Sequence, residues 1–212
     1  MNQVQFGSIR SYDDMGLFLA DVDIETPQAK RTLVDVYGRD GELDLTYGLG
    51  GDTCFENRKI TLLFAMKNYK FQWKPLFSEV MNRLHGRKFK VWIEPEADRY
   101  WDAFCTVNTA RCDRNRGTVE IELDADPYMY RDYEISVTAT TGGTEIAIPI
   151  TRKTAVPTIT SSANIVIVKD ETNYSFDSGT HKNEALRLKE GENVLTVKGS
   201  GTVTIAYKDG SL

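Results

Sequence analysis

Apolar and polar residues alternate with a period of two along most of the chain, a pattern typical of strands that bury one face. The alternation is regular in residues 118–123, and residues 88–93 repeat it with Trp92 as the exception. Residues 58–66 carry apolar side chains on both faces, which predicts a central strand covered on both sides. Most of the chain is therefore predicted to be β-sheet.

One segment follows a helical period instead. Its apolar residues recur at steps of three and four: Trp73, Leu76, Phe77, Val80, Met81 and Leu84. Pro75 fits the first turn of a helix, and Gly86 follows the last apolar position, where a left-handed C-cap favours glycine. The pattern predicts a helix over residues 75–85 that packs its apolar stripe on a sheet.

The composition changes after Pro127, where aromatic residues become rarer and short strands alternate with turn signals. This change predicts two domains, residues 1–130 and residues 131–212. The fold class is mainly β, of the β-rich α+β type. We expect a β-sandwich or barrel-like N-terminal domain with one packed helix, followed by a C-terminal β-sandwich.

Charge and composition exclude several classes of function. The 212 residues carry a formal net charge of −5, and 41% of them are hydrophobic. A packed globular fold is expected, and an acidic chain is a poor match for specific binding of nucleic acid, which needs clustered cations. The sequence has no apolar run of membrane-spanning length, so we expect a protein made in the cytoplasm without a membrane anchor.

Candidate catalytic and metal-binding residues are few. His85 and His181 are far apart in sequence, which disfavours a histidine dyad or a histidine metal site. Cys54, Cys105 and Cys112 lack the paired spacing of a zinc site or a disulfide framework, and we expect them to be reduced core thiols. No nucleotide-binding or nucleophile-elbow motif is present, so neither a cofactor nor an enzymatic activity is predicted.

A group of carboxylates leaves one enzymatic alternative open. Glu94, Glu96 and Asp98 could ligate calcium or form an acid and base pair, although the glycine of a calcium loop is missing. Their more ordinary role is to keep strand ends soluble. A cell-wall hydrolase would have to use Glu94 and Asp98.

Glycan binding is a second alternative, because a β-sandwich with exposed aromatic side chains can stack on sugar rings. The candidates are Tyr174, Phe176 and Tyr207. Tyr174 and Phe176 are two residues apart, so they share one face of a strand and could equally pack inward.

The most distinctive string is Gly38-Arg39-Asp40-Gly41, a tight turn that leads into an alternating strand. With its flanking residues it resembles the N-terminal signature of the distal tail proteins of bacteriophages, although those relatives often have proline where this chain has Tyr37. Further similar segments follow in the same order, and the resemblance covers nearly the whole chain: residues 81–87, 88–93, 125–130, 188–197 and 199–207.

The resemblance implies a structural protein that forms a hexameric ring at the distal end of a siphophage tail tube. The implied partners are other copies of the chain, the tail tube protein, the tail-associated tip protein and a receptor-binding protein. The implied location is the tip of the virion tail, where an acidic wall would let DNA slide through without binding it. The turn motif would belong to the assembly surface.

Overall fold

The computed structural model describes residues 3–46, 53–66, 73–94, 98–113 and 116–212, without the side chains of residues 112, 113 and 116. The chain divides into two compact units, Met1–Pro127 and Tyr128–Leu212. The division lies three residues before the expected boundary, which would cut the strand Met129–Thr138.

The described residues of the first unit form nine strands and one helix. In chain order these are β1 (Val4–Phe6), β2 (Ile9–Arg10), β3 (Leu17–Ile24), β4 (Leu33–Val34), β5 (Leu43–Asp44), β6 (Arg58–Met66), α1 (Trp73–Leu84), β7 (Arg87–Ile93), β8 (Trp101–Asp113) and β9 (Arg116–Ala125). Seven strands make one antiparallel sheet in the order β2-β1-β7-β8-β9-β6-β3, and β4 pairs with β5 separately.

The alternating pattern correctly identifies the buried face of this sheet. Ile121 on β9 and Leu62 on β6 are fully buried and lie opposite each other in the ladder. β6 is an internal strand between β9 and β3, as predicted. Its second face is only half-buried at Leu63 and Ala65, so the apolar residues there do not mark a second core.

Helix α1 packs against β8 and buries Val80 and Leu84. It begins two residues before Pro75, which is tolerated because the first-turn amides have no acceptor within the helix. Gly86 follows the helix with a φ of 74°, as expected for a left-handed cap. Its N–H donates to the carbonyl of Cys105 at 2.9 Å, an ordinary hydrogen-bond length.

The second unit contains eight strands. They are β10 (Met129–Thr138), β11 (Thr144–Ile150), β12 (Thr158–Ser161), β13 (Ile165–Lys169), β14 (Thr172–Phe176), β15 (Gly179–Lys182), β16 (Gly191–Gly199) and β17 (Thr202–Ser211). They form two antiparallel four-stranded sheets, β10-β17-β12-β15 and β11-β16-β13-β14.

One hydrophobic core joins the two sheets of the second unit. Ile159 and Ile205 contribute from one sheet, and Ile167 and Leu195 contribute from the other. This is a β-sandwich, and the predicted β-rich α+β fold class is confirmed for the chain. In the first unit, the expected sandwich or barrel takes the form of a single seven-stranded sheet with a packed helix.

Two neighbouring leucines on β6 test which face of the first sheet carries the core. We expect Leu62→Ala to lower the free energy of unfolding by about 2–5 kcal/mol, because it leaves a cavity at a fully buried site. Leu63→Ala should cost less than about 1 kcal/mol. Urea unfolding followed by tryptophan fluorescence measures both, since all three tryptophans lie in the first unit. Equal losses would contradict the assignment of faces.

Candidate assembly site

An unusually long connection joins two strands that are neighbours in the sheet. β3 and β6 pair antiparallel, and a hairpin between such strands ordinarily needs two to five residues. Here residues 25–57, 33 in all, separate Ile24 from Arg58. Connections of this length in compact domains are uncommon and usually serve a function.

The connection begins as an orderly extension of the β3–β6 ladder. Ala29 pairs with Phe55 in an isolated bridge. The amide of Lys30 donates to the carbonyl of Cys54 at 2.8 Å, and the amide of Glu56 donates to the carbonyl of Gln28 at 2.8 Å. These bonds fix the base from which residues 31–46, called the arm below, extend.

The arm is a hairpin closed at its root by polar contacts. β4 and β5 supply its two short strands, and the amide of Leu45 donates to the carbonyl of Thr32 at 2.8 Å. Arg31 Nη2 lies 2.9 Å from Asp44 Oδ2, and Asp44 Oδ1 accepts the amide of Thr46 at 3.0 Å. Hydrogen bonds from Thr46 and then Arg31 lower the pKa of Asp44 to about 2.

The turn motif lies at the tip of the arm. Gly38 and Gly41 have φ angles of 81° and 74°, and an added Cβ would meet no atom within 4 Å at either position. Glycine is therefore required there for its backbone freedom and not for space. Arg39 and Asp40 between them are exposed, and the amide of Arg39 donates to the carbonyl of Val36 at 3.1 Å.

The arm concentrates exposed apolar surface. Of the ten large hydrophobic residues exposed in the described chain, half lie on it: Leu33, Val34, Val36, Tyr37 and Leu45. Tyr37 has a relative exposure of 106%, so its ring touches almost nothing in its own chain. The arm is therefore a candidate interaction surface. The sequence indicated the turn as a candidate but not these flanking residues.

A second surface is the solvent face of β3, β6 and β9, called the acidic strip below. The ladder register places these residues on it: Asp21, Asp23, Lys59, Glu120, Glu122 and Asp124. Among the side chains that the structure describes on these three strands, five carboxylates thus accompany one lysine. On the same face, farther across the sheet, β7 carries Lys88 and Lys90. The alternation of Glu120 and Glu122 with buried residues already indicated this face in the sequence.

Glu122 lies at the centre of the acidic strip. Its carboxylate accepts a hydrogen bond from Asn108 Nδ2 at 3.1 Å and lies 3.2 Å from Lys59 Nζ. These two contacts lower the pKa of Glu122, and the hydrogen bond from Asn108 has the larger effect. Glu122 therefore keeps its negative charge at neutral pH.

The structure places the three aromatic candidates for glycan stacking in or against the sandwich core. Phe176 and Tyr207 are each only 6% exposed, and Tyr207 stacks on Tyr133 with ring centroids 5.2 Å apart. Tyr174 is half-buried and donates its hydroxyl to the carbonyl of Ala185 at 3.2 Å. The inward packing considered for Tyr174 and Phe176 is what occurs, because the core lies on that face of β14.

The remaining chemistry-bearing residues do not converge on a site. His85 Nδ1 accepts the amide of Val107 at 3.1 Å, and His181 Nε2 lies 3.0 Å from the carbonyl of Asp177. Among the described residues, no group of three or more histidine, cysteine or acidic side chains could hold a metal ion. None of the described helices has the length and hydropathy needed to cross a bilayer.

The expected core thiols are only partly confirmed. Cys105 is buried, and desolvation raises the pKa of its thiol to about 12. Cys54 is exposed at the base of the arm, so the expectation of a core thiol was wrong there. The side chain of Cys112 lies outside the described residues.

Two of the three carboxylates considered for a hydrolase lie in the described chain. Glu94 Oε1 accepts a hydrogen bond from Gln3 at 3.1 Å, and Asp98 is exposed. Glu96 lies outside the described residues.

Comparison with solved structures identifies the fold as that of a phage tail hub protein. The whole chain aligns with the whole of SPP1 Dit (gp 19.1), a hub of the adsorption apparatus in phages that infect Gram-positive bacteria, with a TM-score of 0.70 and 13% identity. The chain therefore has the fold of this distal tail protein, and the resemblance expected from the sequence is confirmed at that level.

Other comparisons add nothing to this assignment. A designed double-stranded β-helix covers 38% of this chain and 99% of its own at 14% identity, with a TM-score of 0.26. The conserved protein PA5104 of Pseudomonas aeruginosa PAO1 covers 91% of this chain and 100% of its own at 11% identity, with a TM-score of 0.28. No family model matches the sequence, and no curated protein is similar to it.

The lowered pKa of Asp44 predicts how the root of the arm responds to acid. A carboxyl whose pKa is lower in the folded state stabilises the hairpin above its ordinary pKa of 3.8, and this contribution is lost as the pH falls through about 2. The amide proton of Thr46, followed by NMR, should shift with a midpoint near pH 2, and Asp44→Asn should abolish the shift. A midpoint near 3.8 would contradict the geometry.

Proposed function

We propose that the chain is a structural subunit of a siphophage tail tip that assembles through its arm into a closed ring of six at the distal end of the tail tube. The fold shared with SPP1 Dit over the full length of both chains supports a role as a tail component. The observation that carries the assembly is the arm, where Tyr37 is fully exposed and four further large apolar residues are 37–39% exposed in a single chain.

The arm suits a contact between different surfaces of successive subunits. Such heterologous contacts, repeated around a rotation that closes, generate a ring. Burial of apolar side chains contributes about 25 cal/mol per Å² removed from water, so five such residues can supply much of one contact. The bonds at the root hold the hairpin in one conformation before it binds, which lowers the entropy lost on assembly.

In this proposal the ring joins the tail tube protein to the tail-associated tip protein and supports receptor-binding proteins at the tip of the virion. The proposed role is to assemble the tail tip and to form a channel for DNA, and no reaction is catalysed. The acidic strip faces the lumen, where DNA passes. Like charges repel at short range, so a wall of carboxylates lets the duplex slide without being held.

Two exposed valines test whether the arm carries the ring. By light scattering at high protein concentration, the native chain should give a particle of about 144 kDa, six times the 24.0 kDa subunit. Val36→Asp should shift the particle to the mass of a monomer, because a charge would have to be buried at each contact.

Val194→Asp is the matched control. Val194 is also an exposed valine, with a relative exposure of 45% against 38% for Val36, but it lies on β16 of the second unit. This variant should keep the native mass. A native chain that remains monomeric, or a Val36→Asp variant that still forms the particle, would contradict assembly through the arm.

Reversing the charge of the acidic strip tests whether its carboxylates prevent the binding of DNA. A variant with Glu120→Lys, Glu122→Lys and Asp124→Lys should bind double-stranded DNA in a salt-dependent manner, whereas the native ring should not bind it. Fluorescence anisotropy of a labelled duplex at low salt measures both. A control with three acidic residues of the second unit reversed, Glu184, Glu190 and Glu192, should bind DNA more weakly. Tight DNA binding by the native ring would contradict an acidic lumen.

A further inference from the structure

The dipeptide Asp-Gly occurs twice in the chain, as Asp40-Gly41 and as Asp209-Gly210. In such a pair the backbone nitrogen of the glycine can attack the side-chain carboxyl carbon of the aspartate, because glycine has no Cβ that obstructs the approach. An intramolecular attack of this kind requires that the two atoms reach each other, so it depends on how tightly the pair is held. The structure holds the two pairs very differently.

Asp40-Gly41 lies at the tip of the arm, and both of its residues are exposed. Within the described part of the chain, neither the carboxylate of Asp40 nor the amide of Gly41 takes part in a hydrogen bond. Apart from its chain neighbours, no atom lies within 4 Å of the position that a Cβ on Gly41 would take. The side chain of Asp40 can therefore turn toward the nitrogen of Gly41 without breaking a contact.

Asp209-Gly210 lies inside β17, where Asp209 is only 3% exposed. The two carboxylate oxygens of Asp209 accept the amide and the hydroxyl of Thr151, at 2.8 and 2.7 Å. Gly210 pairs with Tyr130 on β10, and its carbonyl accepts the amide of Lys153 at 3.0 Å. The carboxylate and the backbone are both anchored, so the sandwich must open before the nitrogen of Gly210 can reach the side chain of Asp209.

We propose that Asp40 is a site of spontaneous modification, at which the folded chain converts aspartate to isoaspartate. The nitrogen of Gly41 bonds to Cγ of Asp40, its proton leaves as water with the hydroxyl of the protonated carboxyl group, and a succinimide ring forms. Water then adds to one of the two ring carbonyls and breaks the bond from that carbon to nitrogen. Opening at the backbone carbonyl gives isoaspartate, and opening at the side-chain carbonyl restores aspartate. The reaction needs no oxidant, cofactor or enzyme.

Isomerisation changes the tip of the arm without changing the mass of the chain. The backbone gains one methylene group at residue 40, and the former backbone carbonyl becomes the side-chain carboxylate. The native turn depends on the φ angles of Gly38 and Gly41, 81° and 74°, and a longer backbone between them cannot keep the same geometry. The modification takes place within a single chain, so it holds or fails independently of the proposed ring.

The test is incubation of the folded, full-length chain at neutral pH, followed by peptide mapping with electron-transfer fragmentation, which distinguishes isoaspartate from aspartate at each position. The Val36→Asp variant is incubated beside it, because a ring that covers the tip would slow the reaction in the native chain. Isoaspartate should accumulate at residue 40 and not at residue 209. In urea, which releases Asp209 from its anchors, the two positions should isomerise at similar rates.

Two variants at residue 40 separate this reaction from other damage. Asp40→Asn should form the same succinimide several-fold faster and release ammonia, because an amide, unlike an ionised carboxylate, does not first have to take up a proton. Asp40→Glu is the matched control, since it keeps the charge but would have to close a larger ring, and residue 40 should then stay unmodified.

Three results would overturn the proposal. The first is that residue 40 stays unmodified in both the native chain and the Val36→Asp variant. The second is that residue 209 isomerises as fast as residue 40 in the folded chain, and the third is that Asp40→Glu is modified as fast as the native chain.

Discussion

The antiparallel pairing of β6 with β3 on one side and β9 on the other determines the main surfaces of the first unit. Because side chains alternate along each strand, the register that buries Leu62 against Ile121 also brings Asp23 and Glu122 to either side of Thr61 on the opposite face. The core and the acidic strip are therefore two products of one register. A slip of one residue would exchange them.

In the second unit, the same alternation of buried and exposed residues operates in two sheets instead of one. Its strands bury isoleucine, leucine and valine from both sides in a single core, and the polar residues that alternate with them face solvent. At one end of the sandwich, where β13 begins and β14 ends, the core residues Ile165 and Phe176 line a shallow surface groove.

Periodicity in the sequence was sufficient to predict β6, β9, the helix and the β-rich class, because each depends on which residues share a face. It could not predict whether the apolar face of a given short strand meets a tertiary partner that covers it. Leu43 and Leu45 alternate with polar residues like those of a buried strand, yet Leu45 is exposed on the arm. Tyr207 was considered as an exposed aromatic residue and is buried, whereas Cys54 was expected in the core and is exposed. Tertiary contacts, and not the local pattern, decide the exposure of both side chains.

The arm is inserted in the chain between β3 and β6, two strands that pair directly with each other. This placement affects how freely the length of the arm can change. The entropy lost on closing a flexible loop grows only with the logarithm of its length, by about 0.6 kcal/mol for each doubling. The β3–β6 ladder is already closed by its own hydrogen bonds and by the bridge between Ala29 and Phe55. The arm can therefore be lengthened, shortened or replaced at little cost to folding, while the sheet that carries it stays constant.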